Sequence, residues 1–217
     1  MSDPDPAFVQ ARTIEVVLPD GTPLLMRPVV PDDKERLSEG FSRLSEHSRY
    51  LRFMSPMARL SPRMLEYLTE IDYVNHFALA AFAYADEGSP GVGVARYIRS
   101  LDEPHVAEAA VAVVDDYHRR GIGTVLLKAL ETVALHNGIT CFRAYALSQN
   151  RGVMKMFADL GAKAELDEPG VIRLEIDLRQ AVEGMKDRPV YRVFRSAAQG
   201  EQVTFRPLAL TDPDIGR

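Results

Sequence analysis

The chain has 217 residues, with 46% of the hydrophobic class and 26% charged, a globular average that excludes wholesale disorder and fibrous repeats. Its 26 Lys and Arg against 31 Asp and Glu leave a net charge of −5, which disfavours a nucleic-acid backbone as partner. One cysteine, Cys141, and five histidines exclude an intrachain disulfide and a Cys-rich zinc site, so no metal is expected. The opening MSDPDPAFVQ lacks the basic start and apolar run of a signal peptide, and the longest apolar run, Phe77 to Ala85, has nine residues, well short of a membrane span. A cytoplasmic protein with no membrane partner is expected. At this length one domain with appendages is expected.

Thr13 to Met26 reads as a hairpin, TIEVVL and TPLLM, turned at Pro19-Asp20-Gly21. Beyond Pro31 the spacing of Leu37, Phe41 and Leu44 predicts a helix, and Ser61-Pro62 opens a second one carrying Met64, Leu65, Leu68 and Ile71. Three strands follow at short intervals, HFALAAFAYA, GVGVARYI and VAEAAVAVV, as an antiparallel meander. A loop then leads into GIGTVLLKALETVALHNG, where Leu126, Leu130, Val133 and Ala134 make one helical stripe and Gly138 stops the helix. The strand CFRAYAL, a helix from about Asn150 to Leu160, and the strands AKAEL and VIRLEIDL complete the pattern. Helices and strands interleave around one mixed sheet. In the tail, residues 179–217, VYRVF and VTFRPLAL read as short strands, and the segment is expected to be a packing or dimerisation extension of a domain spanning 1–178.

The stretch VVDDYHRRGIGTVLL sets Gly121 and Gly123 between a buried strand and a helix start. Glycines there let backbone approach a ligand, and the unpaired amides of a first helical turn attract phosphate oxygens. A tight strand-to-helix connection explains the same glycines. Dinucleotide-fold and P-loop patterns need a further glycine or a Gly-Lys-Ser/Thr ending, and both are missing.

YHRRGIGTVLL resembles the acetyl-CoA-binding motif of the GNAT N-acetyltransferase superfamily, Arg or Gln, two residues, Gly, one residue, then Gly or Ala. His118 stands in the Arg/Gln place. NRGVMKMFADLGA resembles the second cofactor segment of that family through Asn150 and Gly161, with Ala162 replacing the usual Phe. LSEHSRYLRFM and LTEIDYVNHFALAAF are similar to the corresponding stretches of bacterial protein lysine acetyltransferases of the Pat type. The resemblance covers residues 12 to 178. It implies an α/β (α+β) GNAT-like fold with helices on both faces of a mixed sheet, and acetyl-CoA as co-substrate. The pyrophosphate is then expected on the amides of Arg119, Arg120, Gly121, Ile122, Gly123 and Thr124, just after His118. The pantetheine arm is expected along Val111 and Val113, with Asn150 reaching it from the second segment. As a helix N-cap Asn150 would serve equally well.

Glu108 is the one charge among the apolar residues of VAEAAVAVV. With both alternating faces apolar it is expected to be partly desolvated, which favours a general base. By position it also matches the strand glutamate that many GNAT enzymes use to take a proton from the amine. An ion pair with Arg96 or Arg99 is the plainer reading, and Asp72 and His76 are alternative bases. The Tyr that commonly serves the family as acid is Phe157 here, so the departing thiolate would be protonated by another donor or water. Cys141 reads as a core residue rather than a nucleophile. Residues 47–54, with Arg49, Tyr50 and Arg52, lie in the region that implies the acceptor side. The expected acceptor is a protein lysine or a small amine, and a homodimer is compatible with the tail. A non-catalytic acyl-CoA sensor is the rival.

Overall fold

The computed structural model describes residues 4–84, 88–183, 189–201 and 208–209. Helix α1 (Pro6–Ala11), capped by Asp5, precedes the hairpin of β1 (Ile14–Val17) and β2 (Pro23–Pro28), in which Ile14 lies opposite Met26. Three helices follow where two were expected: α2 (Lys34–Ser42), α3 (Glu46–Phe53) and α4 (Pro62–Thr69). Ser45 caps α3 by accepting from the Ser48 amide, and Ser61 caps α4 through the Met64 amide.

The meander is as expected: β3 (His76–Phe82), β4 (Gly91–Arg99) and β5 (Val106–Val113) pair antiparallel in turn. Helix α5 (Ile122–His136) returns the chain so that β6 (Cys141–Leu147) lies parallel to β5. Then come α6 (Arg151–Asp159), β7 (Lys163–Glu168), β8 (Val171–Asp177), α7 (Leu178–Glu183), α8 (Pro189–Gln199) and β9 (Leu208–Ala209). The strands form one mixed sheet in the order β7-β8-β6-β5-β4-β3-β2-β1-β9.

Helix α5 packs on β3, β4 and β5, with α7 and α8 against it, while α2 and α4 pack together on the opposite face. Gly93 of β4 sets how close α5 can come, because a Cβ there would stand 3.1 Å from the Leu126 side chain and 3.2 Å from that of Ile122. The chain has the mixed α/β GNAT-like fold, a central sheet flanked by helices. Among the described residues no helix is long and apolar enough to cross a membrane.

The tail departs from its sequence reading. VYRVF lies in helix α8, whose Val190, Val193, Phe194, Ala197 and Ala198 are all buried, a spacing that fits a helix face and no strand. Of VTFRPLAL, Leu208 and Ala209 pair in parallel with Val16 and Val17, and the remainder lies outside the described residues.

One buried acid in α5 has a measurable consequence. Glu131 is 0% exposed and both its carboxylate oxygens are without a hydrogen bond among the described residues. Burial pushes its carboxyl up to about 8, against a smaller pull from Lys128. A carboxyl raised on folding opposes folding only when ionised. Its cost is therefore absent below the ordinary pKa near 4.5 and grows as pH rises to about 8. Glu131→Gln is expected to be more stable than the parent by several kcal/mol at pH 9 and to differ little at pH 5. Denaturant unfolding at both pH values measures this, and equal stability differences at the two would refute it.

Candidate active site

The site begins where the sheet comes apart. Strands β5 and β6 are paired at only three positions, Val106 with Cys141, Ala107 with Phe142 and Glu108 with Arg143. Beyond Glu108, β5 runs on through residues 109–113 and β6 through 144–147 with no pairing between them. On its other side β5 stays paired with β4 as far as Val113 opposite Gly93. The gap therefore exposes one edge of β5, a row of backbone groups available to an extended amide-bearing ligand.

The open end of this gap meets the start of α5. Arg119 (φ 59°) and Gly121 (φ 84°) both take left-handed backbone, which turns the strand end into the helix, and Gly121 is its N-cap. Among the described residues no side chain caps α5, so the amides of its first turn, from Ile122 to Thr124, are left as free donors of the kind that suits an anion. The Ile122 side chain itself is buried in the core. At Gly123 a Cβ would stand 3.0 Å from the Met156 sulfur of α6 and 3.7 Å from the side chains of both Val111 and Val113. Val111, Val113 and Gly123, expected along the cofactor, thus meet at one spot with Met156, which sequence reasoning did not pick out. With no side chain at Gly123, the first turn of α5 packs close against β5 and α6 and leaves its backbone bare beside the strand edge.

The charged neighbours divide. Arg120 is tied to the hairpin turn, donating to Asp20 at 2.6 Å and to the Thr22 hydroxyl, and its guanidinium lies 4.9 Å from the Tyr117 ring centroid. It belongs to the scaffold. Arg119 is exposed and has no hydrogen bond or ion pair among the described residues, so it is the arginine able to meet a phosphate. His118 donates from Nε2 to the Val113 carbonyl at 2.8 Å, tying the loop to the strand end. Asn150 accepts from the Val153 amide at 3.2 Å and caps α6, the plainer of its two expected roles.

Glu108 stands at the vertex of the gap, at the last paired position. Its expected desolvation is not found: the side chain is exposed, because the strands part just there and remove the cover that apolar neighbours suggested. The expected ion pair is not found either. Arg96 donates to the Leu68 carbonyl at 3.1 Å and to His76 Nε2 at 3.0 Å, and Arg99 to Asn75, Pro104 and Asn137. Arg143, opposite Glu108, is held by Glu103 and Glu175 at 2.7 and 2.8 Å. Glu108 is left with no ion-pair partner within 4.0 Å among the described residues.

The alternative bases are engaged elsewhere. Asp72 closes a turn, its Oδ1 accepting from the amides of Val74, Asn75 and His76. Burial raises its carboxyl, but these hydrogen bonds outweigh that and leave it below the usual range. His76 accepts the Arg96 bond on Nε2, and burial, with the Arg96 charge, lowers the ring to about 4. It is neutral at pH 7 with the nitrogen spent. The Cys141 thiol is half-buried and pushed up, first by burial and then by Glu175, which does not favour a nucleophile.

Opposite the gap, α3 lies near β6 and is fastened to the loop before α5 through Asp115. That carboxylate accepts from the Ser45 amide at 2.8 Å, from the Ser45 hydroxyl at 3.0 Å and from the Ser48 hydroxyl at 2.6 Å. Arg49 holds the carbonyls of Leu44, Ala58 and Ser42 and so shapes the α2–α3 and α3–α4 connections. Tyr50 is exposed, and Arg52 turns into a cleft that runs under α2 and α4 along the Ala112 side of β5. Arg52 falls in the stretch expected on the acceptor side, but its meeting with Arg96 in the wall of one cleft carried no signal in the sequence.

The pattern of the Acetyltransferase (GNAT) family matches residues 46–162, which spans α3 to the end of α6. Acetyltransferase PA5475 of Pseudomonas aeruginosa is 33% identical over 150 residues, 69% of this chain and 80% of that protein. Acetyltransferase Pat of Mycolicibacterium smegmatis is 35% identical over 175 residues, 80% of this chain, and the chain spans 49% of that longer protein. The crystal structure of the GNAT domain of S. lividans PAT superposes with a TM-score of 0.71 at 34% identity, covering 76% of this chain and 97% of that domain. Strands that part at Glu108, a glycine-turned helix start at their open end and these likenesses agree, and the chain belongs to the GNAT acetyltransferase family.

Proposed function

We propose that the protein transfers an acetyl group from acetyl-CoA to a primary amine, a protein lysine, by direct attack assisted by Glu108. The parting of β5 and β6 carries the proposal, because it leaves an unpaired strand edge leading from the α5 start to the one carboxylate at the vertex. The first-turn amides of α5, with Arg119 beside them, would hold the pyrophosphate. The edge of β5 from 109 to 113 would pair with the amides of the pantetheine arm, between Val111, Val113 and Met156. When bound, acetyl-CoA supplies an acetyl group already activated as a thioester.

Glu108 would take one proton from the substrate ammonium, directly or through one water, leaving a neutral amine whose lone pair attacks the thioester carbonyl. The N–C bond forms, the C–S bond breaks with its electron pair going to sulfur, and the second nitrogen proton passes through water to the departing thiolate. Phe157 is 1% exposed within the core and has no proton to give. Phe157→Tyr is therefore expected to leave kcat within about tenfold, since a thiol of pKa about 8.5 departs readily without an acid. A large gain would instead identify the parent as an impaired enzyme. The likeness to the Pat proteins supports a protein lysine as acceptor, and exposed Tyr50 on α3 and Tyr145 on β6 flank the gap as contact points. Residues 179–217 would serve as a packing extension, α7 and α8 lying on α5.

Incubation with acetyl-CoA and a panel of lysine-bearing proteins and small amines tests the reading through release of free thiol and mass of the acceptor. Acetylated product in step with thiol is expected. Binding of acetyl-CoA without thiol release for any acceptor would favour the sensor, a role that His118 and Phe157, both departures from the family pattern, leave open.

A further inference from the structure

The cleft beside Glu108 contains a charge arrangement that acetyl transfer to a neutral amine does not use. Residues 108, 110 and 112 share one face of β5, and Ala112 on that face lines the cleft together with Phe53, Leu68, Ala80 and Val94. Two guanidiniums enter this apolar lining, Arg52 from α3 and Arg96 from β4. Arg96 is 5% exposed. Its only hydrogen bonds among the described residues are those to Leu68 and His76, both from one terminal nitrogen, and both to neutral groups. Arg52 is half-buried, with no hydrogen bond or ion pair among the described residues, only its own neighbour Phe53 with the ring centroid 5.0 Å away.

The surrounding acids do not balance them. Asp33, in the same wall, is already gripped by both terminal nitrogens of Arg27 at 2.7 and 2.6 Å. Arg36, also in the wall, adds a further cation, packed over Phe82. Glu108 acts on Arg52 from beyond ion-pair range. Burial, with Arg52 opposing, lowers Arg96 to about 9, and burial also lowers Arg52. Leaving cations desolvated and unpaired is costly, and a planar fork with unused donors matches a carboxylate.

We propose that Arg52 and Arg96 form a carboxylate subsite, so that one of the two reactants meeting at Glu108 carries a carboxylate close to its reacting atoms. The inference rests on the transferase reading, and it narrows the substrate class of that site. The carboxylate has two sources, a dicarboxylic acyl group on the thioester or an acidic group beside the acceptor amine. Phosphate groups of the cofactor are directed instead to the α5 start, at the other end of the gap.

Two substrate pairs separate the sources: succinyl-CoA against butyryl-CoA as donor, and a lysine peptide with a neighbouring Glu against the same peptide with Gln. In the parent, one pair is expected to show a preference for the carboxylate of about 10-fold or more in kcat/KM, the worth of a charge-assisted hydrogen bond. A preference in the donor pair assigns the carboxylate to the acyl group, one in the peptide pair to the acceptor. Arg52→Gln is expected to bring that ratio to within about twofold of unity, with Arg52→Lys between, because it keeps the charge and loses the fork. No preference in either pair, or a preference that survives in Arg52→Gln, overturns the subsite. An equal loss on carboxylate and neutral substrates also overturns it, since that is the mark of a general effect on catalysis. Calorimetry with butyrate and with its neutral amide, butyramide, decides the case even if no acceptor is turned over. Butyrate binding that exceeds butyramide in the parent and not in Arg52→Gln supports the subsite, and equal binding of the two in the parent refutes it.

Discussion

Glu108→Gln is expected to lower kcat at pH 7 by about 10² to 10⁴ while leaving acetyl-CoA affinity nearly unchanged. A lysine amine of pKa near 10.4 is neutral in only about 4 molecules in 10,000 at pH 7, so roughly 4.6 kcal/mol must come from deprotonation. A carboxylate at the vertex of the gap, next to where the strand edge becomes available, is placed to accept that proton. Because Glu108 is exposed rather than desolvated, its contribution comes from position. The rate deficit of Glu108→Gln should therefore shrink as pH rises toward the amine's own pKa. An ion-pair partner would behave differently, destabilising the fold at every pH when removed, and Glu108 has no such partner within 4.0 Å among the described residues. Rate against pH for parent and variant, with unfolding midpoints alongside, distinguishes the two. Wild-type kcat for the variant at pH 7 would remove Glu108 from the mechanism, and with Asp72 capped by amides and His76 held by Arg96, the base would have to come from elsewhere.

Sequence pattern carried the architecture from β1 to β8, α3 excepted, because those elements have local periodicity backed by a turn or cap. It failed where the deciding fact is nonlocal. Short α3 buries none of its residues completely, so its apolar spacing was too weak to register, although Ser45 as cap marks its start. VYRVF alternates apolar and polar over five residues, and only the extension to Ala197 and Ala198 reveals the helix stripe of α8. The apolar neighbours of Glu108 along the strand suggest desolvation. Its exposure depends instead on β6 parting from β5 at that residue, which no pattern within β5 encodes. The glycines of the loop were legible as a close-approach site because positive φ at Gly121 and the missing side chain at Gly123 are both local requirements. Arg52 and Arg96 come from elements far apart in the chain, and each taken alone looks like an ordinary charge. Only the packing of α3 and α4 on the sheet brings them into one cleft.

Gly123→Glu is expected to abolish acetyl-CoA binding, with affinity falling by at least about 100-fold, more than the loss of a single charged hydrogen bond would produce. Two effects add. The new side chain would crowd the junction of α5, β5 and α6, where even a Cβ comes to 3.0 Å of the Met156 sulfur and 3.7 Å of the Val111 and Val113 side chains. Its carboxylate would also enter the first turn of α5, beside the amides proposed to hold the pyrophosphate, and repel that anion. Gly123→Ala separates the effects. It adds a Cβ with no charge, the close contact is with a flexible thioether that can move a few tenths of an ångström, and Gly123 does not require positive φ. A loss of about tenfold or less is expected for alanine. Neither change should unfold the protein, because the first turn of α5 faces the gap at this position, and a carboxylate near a helix N-terminus is if anything favourable. Acetyl-CoA titration by calorimetry, with circular dichroism to confirm the fold, measures both variants. Gly123→Glu that folds and binds acetyl-CoA as the parent does would show that the cofactor does not pass between β5 and α6, and with it the pairing of the pantetheine arm along residues 109–113 would fall.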